Sequence, residues 1–341
     1  MGYAAFQAIR ILLSAVIGFI VALGITPLVT ILITRLSFKK QIRSASNAPV
    51  FAKLHQKKEG TPTAGGIIIW GTVLIIGGIF WFLPYFDLID RAQTYLPIIS
   101  FFIAALVGLL DDILGILRRG PKGGGISINQ KLLVYITISL IGALWFYYRL
   151  GWDVLTVPFM ENIHMGWWYI PFFMFIIVAA AFSVNETDGL DGLAGGVMLF
   201  AFAALTVIAF TLGRYHLAAF NGVIVGALLA FLWFNIYPAR FFMGDTGSMA
   251  LGITLGVTAM LTNTALLLPF LAIIPVIETL SVIIQLTSKK LRGKKIFHST
   301  PIHHHFEAIG WPESQITMRF WIISAVACIG GLVIFFLDRF L

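Results

Sequence analysis

The sequence predicts an all-α integral membrane protein with about ten transmembrane helices. Of its 341 residues, 59% are hydrophobic and only 11% are charged, and the mean hydropathy is +0.94. Runs of about 20 apolar residues recur along the whole chain, and each is long enough to cross the hydrocarbon core of a bilayer. Length alone would suggest two or three soluble domains. The apolar fraction overrides that estimate, so we expect a single polytopic membrane domain over residues 1–341.

Ten apolar segments define the predicted spans, with boundaries uncertain by several residues. They are 11–36, 64–83, 94–110, 131–148, 168–184, 192–212, 217–236, 247–264, 265–287 and 316–337. The first run is too long for a signal-peptide core and lacks a convincing cleavage site, so we expect it to be retained. Pro269 and Pro275 predict that the ninth segment is bent or broken, because proline removes a backbone hydrogen bond.

The basic residues predict the orientation of the chain. Ten spans place both termini on one side, and most of the 23 lysines and arginines then fall in loops on the other side. The positive-inside rule makes that second side cytoplasmic and both termini periplasmic or extracellular. It also explains the net charge of +8 without nucleic-acid binding. The single cysteine, Cys328, excludes an intramolecular disulfide and is interpreted as a packing residue.

Acidic residues cluster at the predicted cytoplasmic ends of the spans. Each cluster alone has a simpler interpretation: a solvated helix end, a helix N-cap at Asp191, or a capped helix start near Asp245. Their coincidence on one face favours a site, since grouped carboxylates repel unless a cation or protons intervene. Oxygen ligands suit Mg²⁺, which retains waters and binds phosphate oxygens, so a Mg²⁺–phosphate site is favoured over a proton relay. The clustered residues are Asp111, Asp112, Asp188, Asp191 and Asp245.

The basic loops offer groups that could bind phosphate. Lys58 stands beside the tight turn Gly60-Thr-Pro-Thr63 and is interpreted as a phosphate contact, whereas Lys39, Lys40 and Arg43 are interpreted as topology signals. A later loop contains the triplet His303, His304 and His305. Three consecutive histidines cannot all face one metal from one helix, so a zinc site is less favoured. Imidazoles that donate hydrogen bonds near a pyrophosphate are the preferred interpretation.

Five motifs between Lys53 and Trp321 carry a resemblance to a known family. They are Gly60-Thr-Pro-Thr, Asp111-Asp112, Asn185-Glu-Thr-Asp-Gly-Leu-Asp-Gly-Leu193, the stretch from Asn235 to Ser248, and Pro301-Ile-His-His-His-Phe-Glu307. The chain resembles the polyprenyl-phosphate N-acetylhexosamine-1-phosphate transferase superfamily, and within it the phospho-N-acetylmuramoyl-pentapeptide transferases. The histidine motif is the most specific, because it separates that branch from relatives that use other sugars.

The resemblance implies a homodimeric bacterial plasma-membrane enzyme with a Mg²⁺-dependent active site on the cytoplasmic face. The implied reaction moves phospho-MurNAc-pentapeptide from UDP-MurNAc-pentapeptide to undecaprenyl phosphate, giving lipid I and UMP. By position, Asp111, Asp112 and Asp245 correspond to the catalytic carboxylates, with Asp245 the first choice as Mg²⁺ ligand. The implied substrate-binding residues are Lys58, Asn185, Asp188, Gly189, Leu190, Asp191, Asn235, Phe242, Gln285, His303, His304 and His305.

Some positions depart from the family pattern, and two other functions stay open. The family usually has a lysine where this chain has Gly115, and Arg118, Arg119 or Lys131 are candidates to replace its charge. An asparagine and a leucine are also expected where Phe182 and Glu186 stand. One alternative function is a related transferase that uses UDP-GlcNAc. The other is a secondary transporter, which would place its carboxylates near the bilayer midplane.

Overall fold

The computed structural model describes residues 2–36, 38, 58, 60–82, 91–120 and 124–340. Almost all regular structure within them is helical, as the sequence predicts. The basic residues interpreted as topology signals, Lys39, Lys40 and Arg43, lie outside the described residues. Lys58 is described.

Each of the ten apolar segments contains a helix, with ends that differ from the predicted ones by up to eight residues; the ninth contains two helices, and a short helix at Ile302–Ala308 lies outside all ten. The helices are α1 Tyr3–Arg35, α2 Ile67–Phe82, α3 Arg91–Ile116, α4 Ile128–Leu144, α5 Tyr169–Thr187, α6 Leu193–Thr211, α7 Tyr215–Asn235, α8 Asp245–Leu261, α9 Leu268–Leu271, α10 Ile273–Arg292, α11 Ile302–Ala308 and α12 Glu313–Phe340. A short hairpin of β1 (Val154–Leu155) and β2 (Ile163–His164) joins α4 to α5, with Val154 paired to His164.

Seven of the described helices are long and apolar enough to cross a membrane, or eight if a bent pair counts as one span. The chain is therefore a multi-pass membrane protein. Helices α2 and α8, with 16 and 17 residues, are not among the seven, whereas α4 is one of them because a π-helix continues it to Arg149. The total of ten spans and the sides of the termini stay predictions.

The segment predicted as the ninth span divides into two helical arms that meet at 90°. The break lies at Ala272, which separates α9 from α10. Pro269 and Pro275 stand in the first turn of α9 and of α10 respectively. A proline in the first turn removes no intrahelical hydrogen bond. Pro275 thus stands near the start of the second arm and Pro269 lies within the first arm, Ala265–Leu271, so neither proline is at the break itself.

Helix α8 is the centre of the bundle. All of its residues from Thr246 to Leu261 are buried, and it packs chiefly against α3 and α5. Glycines permit this close packing: a Cβ added at Gly252 would lie 2.7 Å from the Ala181 Cα. One added at Gly66 on the approach to α2 would lie 2.4 Å from the Gly247 Cα. Such small residues let helix backbones approach closely where lipid offers no hydrophobic driving force. The N-terminus of α8 is thereby held rigidly.

The hairpin lies at the opposite end of α8 from Asp245. Just after α8, Asn263 donates from Nδ2 to the Thr156 hydroxyl at 2.9 Å. A 17-residue helix is about 25 Å long, so the hairpin and Asp245 are separated by most of a bilayer's hydrocarbon thickness. Asp245 consequently stands near one face of the bundle.

Candidate functional site

Two carboxylates share one ammonium group at the N-terminus of α8. The Lys131 Nζ lies 2.5 Å from the Asp111 Oδ2 and also donates to the Asp245 Oδ2. The other oxygen of Asp245 accepts a hydrogen bond from the Asn185 Nδ2 at 2.7 Å. Helices α3, α4, α5 and α8 each contribute one of these four side chains. Residues that are as many as 134 positions apart in the sequence therefore form one charged cluster.

Local turn chemistry brings Lys131 and Asp111 to this position. Ser127 and Gln130 form a capping box that begins α4, and Lys131 follows in its first turn. The backbone N–H of Ile126 donates to the Asp111 Oδ1. Gly125 has a φ of +87°, and a Cβ there would lie 2.3 Å from the same oxygen. The loop before α4 therefore folds directly onto Asp111.

Asp112 caps the central helix. Its Oδ1 accepts from the backbone N–H of Asp245 at 3.2 Å, and its Oδ2 accepts from that of Thr246 at 3.1 Å. These are two of the free donors that every helix N-terminus presents. Helix α3 continues to Ile116, and Asp111 is only 5% exposed. The interpretation of this aspartate pair as a solvated helix end is therefore wrong.

The aspartates of the 185–193 motif bind the segment that precedes α8. Asp188 Oδ2 accepts from the Gly244 N–H at 3.1 Å, and Asp191 Oδ2 accepts from the Ala239 N–H at 3.0 Å. Helix α6 begins after Gly192, with no side-chain hydrogen bond to cap it. The alternative in which Asp191 caps the following helix is thus wrong. Both carboxylates instead fix residues 239–244 beside the cluster.

Lys58 is linked to Asp191 and to Glu313, a residue that no sequence motif singles out. Its Nζ lies 2.7 Å from the Asp191 Oδ1 and also donates to Glu313, the first residue of α12. Glu313 Oε1 accepts from the Asp191 N–H at 2.6 Å. In the sequence, Glu313 looks like an ordinary acidic residue in a first helical turn. Only the fold shows that the positively charged Lys58 contacts it.

Several of the implied substrate-binding residues lie around the turn formed by residues 188–191. Asn235 is buried and ties the turn to the next segment, accepting from the Gly192 N–H at 3.0 Å and donating to the Phe241 carbonyl at 2.8 Å. Phe242 is 8% exposed, and the Lys58 Nζ lies 5.6 Å from the centroid of its ring. Leu190 is buried at the turn itself.

The three predicted histidines lie on α11 and face different partners. The His303 Nδ1 lies 3.0 Å from the Glu278 Oε2, and both side chains are buried. Burial lowers the pKa of His303, but Glu278 and the more distant charges of Glu307 and Glu186 together outweigh burial, so that pKa lies above its usual value. His304 Nδ1 is 2.6 Å from Glu307 Oε2, while His305 stacks on His298 with ring centroids 5.3 Å apart. Such divergent partners agree with the preference against a zinc site.

The remaining predicted residues are placed as follows. Gln285 uses its amide within the fold: Oε1 accepts from the Ile296 and Phe297 N–H groups, and Nε2 donates to the Phe297 carbonyl at 2.8 Å. Arg118 and Arg119 are exposed. Of the three candidates to replace the charge missing at Gly115, Lys131 is the one that the structure places between Asp111 and Asp245.

The residues of this cluster lie within a region that matches a known transferase family. The sequence pattern of glycosyl transferase family 4 matches residues 95–263, which include Asp111, Asp112, Lys131, Asn185 and Asp245. Those residues are the ones that meet at the N-terminus of α8.

Curated relatives narrow the class to one family. The phospho-N-acetylmuramoyl-pentapeptide-transferase of Clostridium perfringens strain 13 is 42% identical over 322 residues, which cover 94% of this chain and 96% of the relative. The protein of the same name from Geobacillus thermodenitrificans is 37% identical over 327 residues, covering 95% and 97%. That from Clostridium novyi is 38% identical over 321 residues, covering 93% and 94%. The chain belongs to the phospho-N-acetylmuramoyl-pentapeptide-transferase family.

Proposed function

We propose that this protein transfers phospho-MurNAc-pentapeptide from UDP-MurNAc-pentapeptide to undecaprenyl phosphate, giving lipid I and UMP. Family membership over almost the whole chain supports the reaction. The observation that carries the proposal is the cluster of Asp111, Lys131, Asn185 and Asp245 at the N-terminus of α8. Phosphoryl transfer depends mainly on positioning and charge neutralisation, and this cluster holds the carboxylates that would bind a divalent cation together with a lysine that could bind phosphate.

The acidic cluster fits Mg²⁺ as cofactor. Asp111 and Asp245 both reach the single ammonium of Lys131, so two carboxylates already converge on one small cation. Among the described residues, no group of three or more His, Cys, Asp or Glu is arranged to hold a metal. Mg²⁺ needs no such set, because it commonly binds through one or two carboxylates, phosphate oxygens and waters. Asp245 would hold the ion, which would neutralise charge on the pyrophosphate and on departing UMP.

The protein's own residues supply positioning and proton transfer. An oxygen of the lipid phosphate attacks the sugar-side phosphorus, and the bond from that phosphorus to the UMP oxygen breaks. Asp111 would accept the proton of a singly protonated lipid phosphate, and Lys58 would bind the phosphates of the nucleotide. We prefer this direct attack to a covalent intermediate on a carboxylate, because a phosphate monoester is already largely ionised near neutral pH. Trapping a labelled enzyme intermediate with the UDP substrate alone would reverse that preference.

The remaining substrate and membrane assignments complete the proposal. Phe242 would stack on uracil, with Asn185, Asn235 and the 188–191 turn around the nucleotide. The histidine motif would contact the sugar phosphate through His304 and His305, since His303 is enclosed between Glu278 and Gly189. The protein would cross the membrane ten times with both termini outside, act as a homodimer, and present this site to the cytoplasm. The position of Asp245 at a helix end argues against a transporter, which needs carboxylates near the midplane.

A UMP-release assay with purified full-length protein tests the function. Wild type should release UMP when both substrates and Mg²⁺ are present, and chelation should stop the reaction until Mg²⁺ is restored. Asp245→Ala should abolish turnover, whereas Asp153→Asn, at the hairpin end, should not. Unchanged turnover in Asp245→Ala would refute the assignment of this site. Turnover of UDP-GlcNAc in place of UDP-MurNAc-pentapeptide would show that the related transferase is the correct alternative.

A further inference from the structure

A buried ion pair connects the bent helix pair to the histidine motif. Glu278 on α10 is 0% exposed and His303 on α11 is 1% exposed. The Glu278 Oε2 lies 3.0 Å from the His303 Nδ1 and 3.4 Å from the His303 backbone nitrogen. One carboxylate oxygen therefore contacts the first histidine of the motif at two points, on its ring and on its backbone.

This pair is an expensive way to stabilise a fold. Within the described part of the chain, the Glu278 Oε1 and both ring nitrogens of His303 are buried without a hydrogen bond, so the Nδ1 contact with Glu278 Oε2 is an ion pair by distance alone. Desolvating two charges costs several kcal/mol per ion, and the cost is recovered only if the remaining polar atoms are also satisfied. An incompletely satisfied pair contributes little to stability. Its value must lie in the geometry that it imposes.

The far side of the His303 ring packs on the acidic turn. A Cβ added to Gly189 would lie 2.2 Å from the His303 Nε2, so the ring occupies the space that any side chain at position 189 would need. The neighbouring Asp188 accepts the Gly244 N–H, and Gly244 precedes Asp245. A continuous set of contacts therefore runs from Glu278 through His303 and the turn to the carboxylate at the start of α8.

The same face of α10 also binds the loop that connects α10 to α11. Glu278, Ser281, Gln285 and Ser288 form its buried polar stripe, at spacings of three or four residues. Gln285 binds the backbone of Ile296 and Phe297, and the Ser288 hydroxyl donates to the Lys294 carbonyl at 2.9 Å. The stripe thus attaches the segment from Lys294 to His303 along one rigid helix.

We propose that Glu278 is a positioning residue of this enzyme. It holds His303 against Gly189 and so fixes the 188–191 turn, and through Gly244 the Asp245 carboxylate, in the arrangement that the reaction requires. The inference rests on the proposed function, since the site that it positions is the one assigned there. Glu278 acts through His303 and does not touch substrate, so its loss should lower kcat more than it changes KM.

The test compares full-length variants in lipid nanodiscs. They are Glu278→Gln, His303→Gln, the double variant, and Thr279→Val as matched control. Thr279 lies beside Glu278 on α10, but its hydroxyl bonds Ser183 on α5 and not the histidine motif. UMP release gives kcat and KM, thermal unfolding gives stability, and hydrogen–deuterium exchange of residues 186–192 reports on the turn without requiring turnover.

Four experimental outcomes are expected. Glu278→Gln should lower kcat on the order of 10- to 100-fold, the range seen when a supporting residue or a displacement of about 1 Å disturbs reacting groups. It should speed exchange in residues 186–192. The double variant should be no slower than the slower single variant, because residues acting in one chain of contacts are not additive. Thr279→Val should match wild type in kcat and in exchange at residues 186–192.

Other outcomes would overturn the proposal. A Glu278→Gln protein with wild-type kcat and exchange would do so, as would additive losses in the double variant. If Glu278→Gln does not fold, the double variant, which leaves no buried charge unpaired, is compared with His303→Gln alone. Equal kcat values then support the proposal, and a further loss contradicts it. A wild-type protein that does not turn over UDP-MurNAc-pentapeptide would instead refute the proposed function. Hydrogen–deuterium exchange of residues 186–192 would then still show whether Glu278 and His303 hold the turn in place.

Discussion

Replacing Lys131 by methionine should disable the site while leaving the fold intact. Methionine keeps the length and the apolar stem of lysine but removes the charge that Asp111 and Asp245 share. Asp112 lies next to both of them, so the cluster would then hold three carboxylates without a cationic side chain. We expect the two freed carboxylates to move apart or to take up a proton, and either change removes the geometry that the reaction requires.

The distance and the burial of the Lys131 ion pairs set the expected fall in kcat/KM. At the 2.5 Å separation of Lys131 Nζ and Asp111 Oδ2, Coulomb's law with an effective dielectric constant near 20 gives about 7 kcal/mol before desolvation is subtracted. Removing one partner of a buried pair costs about 3–5 kcal/mol in measured cases. Lys131 keeps 20% exposure, so solvent screens part of its charge and the lower end of that range applies. Because the freed carboxylates must return to this arrangement for each turnover, we expect about 3 kcal/mol to be added to the activation free energy, which corresponds to a fall in kcat/KM on the order of 100-fold.

The assay is Mg²⁺-dependent UMP release with both substrates, accompanied by thermal unfolding of each variant. Arg119→Met is the matched control, because Arg119 is an exposed cation on the segment that leads into the same loop. It should retain wild-type kcat/KM. If Lys131→Met folds normally and keeps activity within a few-fold of wild type, then Lys131 does not organise Asp111 and Asp245 during the reaction. A similar loss in Arg119→Met would show that the net charge of the loop matters and that the Lys131 contacts do not.

Three further substitutions test how the site is held. Asp112→Asn keeps one acceptor for the N-terminus of α8 and loses the other, so it should cost about 1–2 kcal/mol of stability. Its unfolding temperature should lie below that of Asp245→Asn, a variant that keeps both acceptors of Asp112. Gly66→Ala should cost about 1–3 kcal/mol by overpacking against the backbone of Gly247, and a wild-type unfolding temperature would contradict this. Glu313→Gln weakens the support of Lys58, and we expect about a tenfold higher KM for the UDP substrate with kcat little changed. Equal losses in kcat and kcat/KM would argue instead for a role in the reaction step.

Most of the fold follows from the sequence because apolar runs specify helices in a bilayer. The prediction that separate helices flank Thr262 and Asn263 is confirmed, with α8 ending at Leu261. The apolar pattern does not locate the break at Ala272, because the sequence directs the expected interruption to Pro269 and Pro275. Backbone hydrogen bonds decide that position, and the residues at the break are apolar like their neighbours.

The membership of the site was predictable, but the contacts within it were not. Asp111, Asp188 and Asp245 could be grouped because carboxylates at helix ends on one face are unusual. Their partners depend on how α4 and α12 approach α8, and no local pattern encodes that approach. Lys131 was one of three candidate cations, and Glu313 was not considered. Gln285 was expected beside the nucleotide; its amide binds the 296–297 backbone.

The five aspartates divide into two groups according to what their oxygens bind. Asp112, Asp188 and Asp191 each accept backbone N–H groups from the segment between Ala239 and Thr246. That segment leads directly into a helix that is buried on every side, so these hydrogen bonds fix the direction in which Asp245 leaves the bundle. Asp111 and Asp245 instead share the ammonium of Lys131, a group that a divalent cation or a substrate phosphate can compete with. Three carboxylates that bind backbone N–H groups thus hold the other two close together despite their repulsion. Two carboxylates at close range are what the binding of a divalent cation and a pyrophosphate requires.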